Sequence, residues 1–316
     1  MWPTDPPVDI EAVAARARRL GPVPYSSLRL PSGHSTGTSA PAAGAKVAAR
    51  LDRWWHELGR PDPFVVEEDG AGDGSLAAAV MAASPACAPA LRYVLVEPDP
   101  ARRNDQRGRV HLEPPASALG PVSLPAGADE EPEPEPGRGP LATSLAEPPA
   151  MGVSVVLAVG WLSALPWDLW ERRGRGWVEV RLGAAADGGL VELSVPALGG
   201  LVVGEGLRTG ERPAIGARST AAEVAEAVEE GRRVPIQAAA TKWLAEALRR
   251  VGPGRVAVID RVVRSTAELA FAPGDPFPAP VVALDQLDRH RRAGVERPVA
   301  ISPLVVLQWD VGSRDG

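Results

Sequence analysis

Apolar and polar positions divide the chain into short strand-like runs and longer helical ones. Consecutive apolar and β-branched residues, bounded by polar or turn residues, predict buried strands. Such runs occupy residues 63–69, 91–98, 152–159, 254–263 and 303–309. Because these runs alternate with helical segments, the pattern predicts an α/β fold with a mostly parallel sheet and helices on both faces.

Helical spacing of apolar residues is clearest in three segments. The first follows Gly74, and the second spans 220–231, with a capping-box pair at its start and a glycine at its end. The third spans 240–251, keeps its apolar residues on one face, and is predicted to stop at Gly252. These helices supply the layers that a parallel sheet needs for its two faces.

A β-hairpin interrupts this alternation. The runs "WVEVRL" and "LVELSVPA", between Trp177 and Ala197, are separated by "GAAADGG", which has turn residues at 187–189. We therefore predict a hairpin-and-helix insertion at about 171–235. The rest is predicted to be an N-terminal entry segment, 1–50, and one Rossmann-like domain, 51–316. Within that domain the acidic, proline-rich stretch 127–140 is predicted to be a solvated loop.

Composition and charge exclude several classes of function. The 316 residues are 45% hydrophobic, enough for a sizeable core, and the net charge of −6 argues against nucleic acid as a partner. Cys87 is the only cysteine and the four histidines lack metal-ligand spacing, so we expect no metal site. No apolar run reaches the length of a membrane span and no signal peptide is evident, so we expect a cytoplasmic protein.

The stretch "FVVEEDGAGDGSL", residues 64–76, is the strongest candidate site, because a strand runs into a glycine-rich turn and then a helix. In open α/β sheets, ligands bind beyond the carboxyl ends of the strands. The spacing is Gly-x-Gly-x-Gly, whereas dinucleotide-binding proteins have Gly-x-Gly-x-x-Gly. Acidic side chains crowd the turn and would repel a phosphate, so a cationic, phosphate-free cofactor such as S-adenosylmethionine fits better. The acids of this stretch are Glu67, Glu68, Asp69 and Asp73, and its glycines are Gly70, Gly72 and Gly74.

Glu97, at the end of "RYVLVEP", is the second part of this candidate site. A carboxylate at the tip of the next strand can accept hydrogen bonds from both ribose hydroxyls of a nucleoside. Taken alone, the glycines fit a plain tight turn and Glu97 fits an exposed acid at a strand end. Together, in this order, they favour a nucleoside-type cofactor.

Several motifs in register resemble MidA-type methyltransferases, a family that includes the mitochondrial methyltransferase assisting respiratory complex I assembly. They are "SGHSTGTSAP", "FVVEEDGAGDGSLAAAV", "LRYVLVEPDPARRNDQRGRV", "GVSVVLAVGWLSALPWDLWERR" and "RVPIQAAATKWLAEALRRVGPGRVAVID". The resemblance implies a Rossmann-like class I methyltransferase sheet, S-adenosyl-L-methionine as methyl donor, and a protein arginine as acceptor in characterised members. Carried over residue by residue, it implies cofactor contacts for Glu68, Gly70, Gly72, Gly74 and Glu97.

The chain departs from the family pattern on the acceptor side. Val159 and Gly160 stand where the family has Asn-Glu, and Ser163 stands where it has Asp. Since a guanidinium acceptor needs a carboxylate to orient it, no catalytic residue can be assigned. Asp69 replaces an apolar residue and needs solvent or a partner such as an arginine.

Three hypotheses about function follow from these residues. The chain is a methyltransferase of this type, with a protein or small molecule as acceptor, or a degenerate relative acting as a cofactor-binding or assembly partner. A nucleotide-dependent oxidoreductase is disfavoured by the glycine spacing and the acidic turn. Weaker candidates are Glu171 as a substitute carboxylate and His34 as a cofactor-side contact, which is more simply a loop residue. Trp161, Trp167 and Trp170 form either an aromatic wall beside the cofactor or, as we favour, packing for the insertion.

Overall fold

The structure of the chain is a computed structural model. It describes residues 9–28, 40–120, 136–150, 152–174, 176–196, 227–275, 281–287, 299–301 and 304–312. The predicted entry motif with His34, most of the acidic loop, and residues 220–226 of the second predicted helix lie outside the described residues.

The chain divides into two compact units, each built from several stretches of sequence. The first unit comprises Met1–Ser32, Leu162–Glu246 and Arg261–Arg292, and the second comprises Gly33–Trp161, Ala247–Asp260 and Ala293–Gly316. The predicted parallel strands and the glycine turn fall in the second unit, except residues 261–263 at the end of one predicted strand, which fall in the first. The predicted hairpin falls in the first.

The second unit contains a seven-stranded sheet in the order β13-β14-β10-β5-β2-β3-β4. Strands β10, β5, β2, β3 and β4 pair in parallel, while β14 joins β10 antiparallel and β13 joins β14 antiparallel. The predicted mostly parallel sheet is therefore confirmed. Its strands are β2 (Phe64–Asp69), β3 (Leu91–Val96), β4 (Leu141–Leu145), β5 (Val153–Val159), β10 (Val251–Asp260), β13 (Val299–Ile301) and β14 (Leu304–Val311).

The central strands are buried along most of their length because both faces of a parallel sheet are covered. Every residue of β2 and β3 is buried, and Phe64 and Val66 enter one continuous core cluster with Leu91 and Leu95. Residues of the helices α2 (Ala40–Glu57) and α3 (Ser75–Ala82) belong to the same cluster. The shorter helices α4 (Pro100–Gln106) and α5 (Pro115–Leu119) follow β3.

Glycine allows α2 and α3 to pack at close range. A Cβ atom built on Gly44 of α2 would lie 2.3 Å from the Cβ of Ala79 of α3. Any larger side chain at Gly44 would therefore push α3 away from α2, and α3 is the helix that begins at the glycine turn.

The first unit contains an antiparallel sheet in the order β1-β7-β6-β9, with β8 paired to β7. The predicted hairpin is confirmed as β7 and β8, which pair from Val178–Pro196 to Ala184–Leu190. The sequence patterns did not predict β6 and β9. The strands of this sheet are β1 (Val23–Pro24), β6 (Asp168–Arg173), β7 (Gly176–Ala184), β8 (Leu190–Pro196) and β9 (Arg233–Ile236).

The remaining elements are short, apart from two helices. They are α1 (Ile10–Leu20), α6 (Ala238–Arg250), α7 (Leu284–Leu287) and the parallel pair β11 (Val262–Val263) and β12 (Val282–Ala283). The third predicted helix is confirmed as α6, but it ends at Arg250, and Val251 already begins β10. The helical prediction ran too far because the apolar Val251 also fits the periodicity of the strand.

Candidate functional site

The glycine turn joins β2 to α3 through a backbone that only glycine adopts without strain. Gly70, Gly72 and Gly74 have φ values of 69°, 56° and 79°, all in the left-handed region. The turn is closed by Ala71, whose N–H donates to the Val96 carbonyl at 3.0 Å and whose carbonyl accepts from the Gly74 N–H at 3.0 Å. All three predicted glycines are thus required by backbone geometry.

Glu97 lies directly against this turn. It is only 3% exposed, and its Oε2 accepts the Gly72 N–H at 2.9 Å while Oε1 accepts the Asp99 N–H at 2.9 Å. The structure therefore brings Glu97 and Gly72 together, as the sequence predicts. Each carboxylate oxygen keeps a second lone pair, so two hydroxyl donors can still be accommodated.

Glu68 is fully buried on the core side of β2. The Tyr93 hydroxyl donates to its Oε2 at 2.8 Å, and its Oε1 has no hydrogen-bond partner among the described residues. Burial raises the pKa of Glu68 to about 8, and the nearby Asp73, Asp69 and Glu97 contribute to the rise. At neutral pH Glu68 is therefore mostly protonated and contributes little negative charge to the turn.

Glu67 and Asp69 point to the other side of β2, where one arginine serves both. Arg250, the last residue of α6, donates to Glu67 Oε1 at 2.7 Å and to Asp69 Oδ2 at 2.6 Å. The expectation that Asp69 needs solvent or a partner such as an arginine is confirmed, and the partner is Arg250. Burial, and secondly the Asp69 charge, raise the pKa of Glu67 to about 8, so one guanidinium balances one carboxylate and the other acid keeps its proton.

Asp73 is the fourth acid in the turn, and it is also compensated. Its Oδ2 lies 2.8 Å from Arg109 Nη2, and its Oδ1 accepts the Ser75 N–H at 3.1 Å. The acids that crowd the sequence are thus largely protonated or paired. Repulsion of a phosphate is weaker than the sequence suggests, so the case for the site rests on Glu97 and the turn geometry.

Two of the positions expected to face an acceptor, Val159 and Gly160, offer no polar side chain. Val159 is 4% exposed and belongs to the core cluster, and Gly160 has a φ of 62°. The indole of Trp161 covers Gly70, since a Cβ built there would lie 2.2 Å from Trp161 Cε3. The Trp161 Nε1 is buried without a hydrogen-bond partner among the described residues.

The other residues named from this region lie in the first unit. Trp167 and Trp170 are buried in two core clusters there, which confirms the packing interpretation for both. Glu171 is ion-paired, with Oε2 2.9 Å from Arg233 Nε and Oε1 2.7 Å from Arg173 Nε. Both carboxylate oxygens of Glu171 are thus engaged in ion pairs within the first unit.

Sequence reasoning missed several polar residues that support the turn: Tyr93, Gln106, Ser144 and Arg250. Gln106 is fully buried, and its Nε2 donates to the Gly72 carbonyl at 2.7 Å. A tyrosine within the apolar strand "LRYVLV" is the one signal of this group visible in the sequence. The others act across long separations in the chain and leave no local pattern.

Two further findings concern metals and membranes. In the described ranges, no group of three or more His, Cys, Asp or Glu side chains is placed to hold a metal ion. Within those same residues, no helix has the length and apolar character needed to cross a membrane.

Comparison with known proteins assigns a family and a fold. Residues 47–276 match the model of a family described as "Putative S-adenosyl-L-methionine-dependent methyltransferase". An uncharacterised protein from Burkholderia thailandensis is similar in structure, with a TM-score of 0.60, 18% identity, and coverage of 96% of this chain and 91% of its own. No curated protein matches this chain.

A second solved structure shows the same fold with a ligand bound. It is a protein from Burkholderia thailandensis, described as a "likely methyl transferase" and bound to S-adenosyl-homocysteine. Its TM-score is 0.61, with 17% identity and coverage of 96% of this chain and 92% of that protein. The predicted methyltransferase fold class is thus confirmed.

Proposed function

The chain belongs to the family of S-adenosyl-L-methionine-dependent methyltransferases that its residues 47–276 match, and we propose that it binds this cofactor at the glycine turn. The resemblance to MidA-type methyltransferases is confirmed at the level of this family, of which MidA is a member. S-adenosylmethionine is accordingly the cofactor, and the finer proposal concerns where it binds and what becomes of its methyl group.

The contact between Glu97 and the Gly72 N–H carries the proposal. A buried carboxylate at the tip of β3, held 2.9 Å from the backbone of the turn, presents its remaining lone pairs to ribose hydroxyls. Gly70 and Gly74 leave room for Trp161 and Gln106, which pack directly against the turn, and Gly72 leaves the backbone between them without a side chain. Glu68, which precedes Asp69 at the end of β2, accepts a hydrogen bond from the Tyr93 hydroxyl, and its raised pKa keeps it mostly neutral at physiological pH.

The acceptor side supports a narrower proposal. When bound, S-adenosylmethionine would supply an electrophilic methyl group: the lone pair of an acceptor would form a bond to this carbon as the sulfur–carbon bond breaks, with S-adenosylhomocysteine as the leaving group. An arginine acceptor must be held by carboxylates, because its guanidinium stays protonated. Val159 and Gly160 offer none, so we propose that arginine is a poor acceptor and that the acceptor is a different protein group or a small molecule.

A second candidate function is a cofactor-binding or assembly protein that does not turn over. It is favoured by one observation: Val159 is part of the hydrophobic core, where a catalytic polar residue would be expected from the family. Both candidates predict the same cofactor affinity, and they differ only in methyl transfer. A cytoplasmic location belongs to either proposal and rests on the sequence.

Calorimetric titration with S-adenosylmethionine and S-adenosylhomocysteine tests the site. Glu97→Ala should weaken binding by roughly 1–3 kcal/mol, the usual loss for hydrogen bonds to a charged group. Glu229→Ala is the matched control, since the Glu229 side chain is 82% exposed in the first unit. Equal affinities of the parent and Glu97→Ala would place the cofactor elsewhere.

Gly72→Val is the less clean of the possible test variants. Its branched side chain would block the approach of a ligand, but valine at a φ of 56° would also strain the turn itself. Lost binding in that variant would have two causes, one of them backbone strain. Glu97→Ala introduces no such strain, although it removes the acceptor of the Gly72 N–H as well as the proposed ribose contact.

A further inference from the structure

The Gly72 residue is held by side chains on both of its polar groups. Its N–H donates to Glu97 Oε2 at 2.9 Å, and its carbonyl accepts from Gln106 Nε2 at 2.7 Å. Both side chains are buried, with Glu97 3% and Gln106 0% exposed. A turn clamped in this way has little freedom to rotate its peptide planes.

The orientation of the Gln106 amide follows from its partners. The Gly72 carbonyl can only accept, so the Gln106 amino group must face it. Ser144 Oγ, on the neighbouring strand β4, then donates to Gln106 Oε1 at 2.5 Å. The aliphatic part of Gln106 also packs on the turn, because a Cβ built on Gly74 would lie 3.2 Å from Gln106 Cγ.

The helix α4 connects the two halves of the candidate site. At its start, the N–H of the N-cap residue Asp99 donates to Glu97 Oε1 at 2.9 Å. In its middle, Arg103 Nη1 donates to the Glu97 carbonyl at 2.6 Å. At its end stands Gln106, bound to Gly72. One short helix thus fixes the ribose-side carboxylate and the glycine turn relative to each other.

We propose that Gln106, oriented by Ser144, is a positioning residue that sets the conformation of the glycine turn for the cofactor. It acts through the Gly72 carbonyl and does not itself touch the ligand. This inference rests on the proposed function, since the turn is taken as the cofactor site. Nothing in the spacing of the sequence motifs points to it.

Two variants separate positioning from mere packing. Gln106→Met keeps the length and burial but cannot donate, so affinity for S-adenosylhomocysteine should fall roughly tenfold at every pH, the loss expected for one hydrogen bond. Gln106→Glu can donate to the Gly72 carbonyl only while it is protonated. Its affinity should approach that of the parent at low pH and fall to that of Gln106→Met or below it as pH rises, because the ionised carboxylate would face the Gly72 carbonyl.

The pH comparison is made as a ratio to the parent. Glu97 and Asp73 flank the Gly72 peptide. Arg103 donates to the Glu97 carbonyl, and Arg109 is paired with the Asp73 carboxylate. These charged groups are present in every variant, so the ratio to the parent reports on residue 106. A residue that merely fills space would give Gln106→Met the affinity of the parent at every pH.

Gln308→Met is the matched control. Gln308 is 3% exposed in the same unit, where it accepts from Trp54 Nε1 at 2.9 Å, so its loss costs stability without touching the turn. Binding is measured by calorimetry, and hydrogen exchange of the amides at 71–75 is measured without ligand. We expect Gln106→Met, and not Gln308→Met, to lose affinity and to exchange faster at the turn.

Each outcome decides one of the two proposals. Unchanged affinity of Gln106→Met, with parent binding intact, overturns the role of Gln106. If the parent itself does not bind S-adenosylhomocysteine, the proposed function fails, and the exchange data alone judge Gln106. Faster turn exchange in Gln106→Met then upholds its positioning role, and unchanged exchange overturns it.

Discussion

Removal of the Arg250 guanidinium tests how the acids beside the glycine turn are tolerated. Arg250 is 19% exposed in its side chain, whereas its partners Glu67 and Asp69 are 0% and 5% exposed. Arg250→Met keeps most of the aliphatic volume and removes the charge that contacts both acids. The variant therefore leaves a buried carboxylate without the guanidinium that compensates it.

The loss of folding free energy expected for Arg250→Met follows from the burial of the ion pair. Breaking a buried ion pair from one side typically costs about 3–5 kcal/mol, because the remaining charge stays out of water. Since about a fifth of the Arg250 side chain reaches solvent, we expect the lower end, about 3 kcal/mol. The raised pKa of Glu67, about 8, means that only one of the two acids carries charge at pH 7.

This charge balance makes a sharper prediction for a double variant. Asp69→Asn should remove the uncompensated charge, so Arg250→Met with Asp69→Asn should recover most of the lost stability. The assay is urea denaturation combined with hydrogen exchange of the β2 amides, which reports on the second unit alone. Arg249→Met, an exposed neighbour on the last turn of α6, is the control and should change stability by less than about 0.5 kcal/mol.

An equal cost of Arg250→Met with and without the Asp69→Asn substitution would refute the reasoning. The coupling energy of the cycle would then be near zero, and the loss would come from packing of the arginine stem. A loss below about 1 kcal/mol in the parent, the usual range for solvated ion pairs, would show that water already reaches the acids.

Two further predictions concern Glu68 and the acceptor side. The pKa of Glu68 is about 8 in the folded chain and 4.5 in the unfolded chain, so the stability of the parent falls by up to roughly 1.4 kcal/mol per pH unit as pH rises between these values. Glu68→Gln removes the titrating group, so its stability in urea denaturation should lack this slope. Parallel pH profiles of the parent and the variant would contradict the prediction. Val159→Asn with Gly160→Glu should raise transfer of labelled methyl to arginine-containing protein, with the folded fraction matched; brisk transfer by the parent would contradict the proposal.

The turn and its flanking elements were predictable because their information is local. Three glycines in left-handed conformations mark the turn, and the apolar runs on either side mark β2 and α3. Glu97 was predictable because the carboxyl ends of neighbouring parallel strands lie at one edge of the sheet. These elements need no knowledge of which distant residues meet.

The supporting residues were not predictable, since their partners are distant in the chain. Arg250 lies 181 residues from Asp69, and Gln106 lies 34 residues from Gly72. Strand β6, "DLWERR", was missed for a related reason: its charges resemble a solvated segment. Of these charges only Glu171 is buried, where Arg233 of β9 pairs with it at 2.9 Å and with Glu192 of β8 at 2.7 Å.

The cofactor side and the acceptor side of the candidate site differ in what holds their residues in place. On the cofactor side, the conformation is fixed by backbone hydrogen bonds to Glu97 and Gln106, so affinity depends on a few polar contacts. On the acceptor side, Val159 is part of the core and Gly160 holds a φ of 62°, where a glutamate would be strained by roughly 1–2 kcal/mol. Restoring the family residues therefore opposes both packing and backbone geometry. Cofactor binding and methyl transfer must therefore be measured separately. The contacts proposed for cofactor binding are in place, whereas Val159, at a position that would serve methyl transfer, is part of the hydrophobic core.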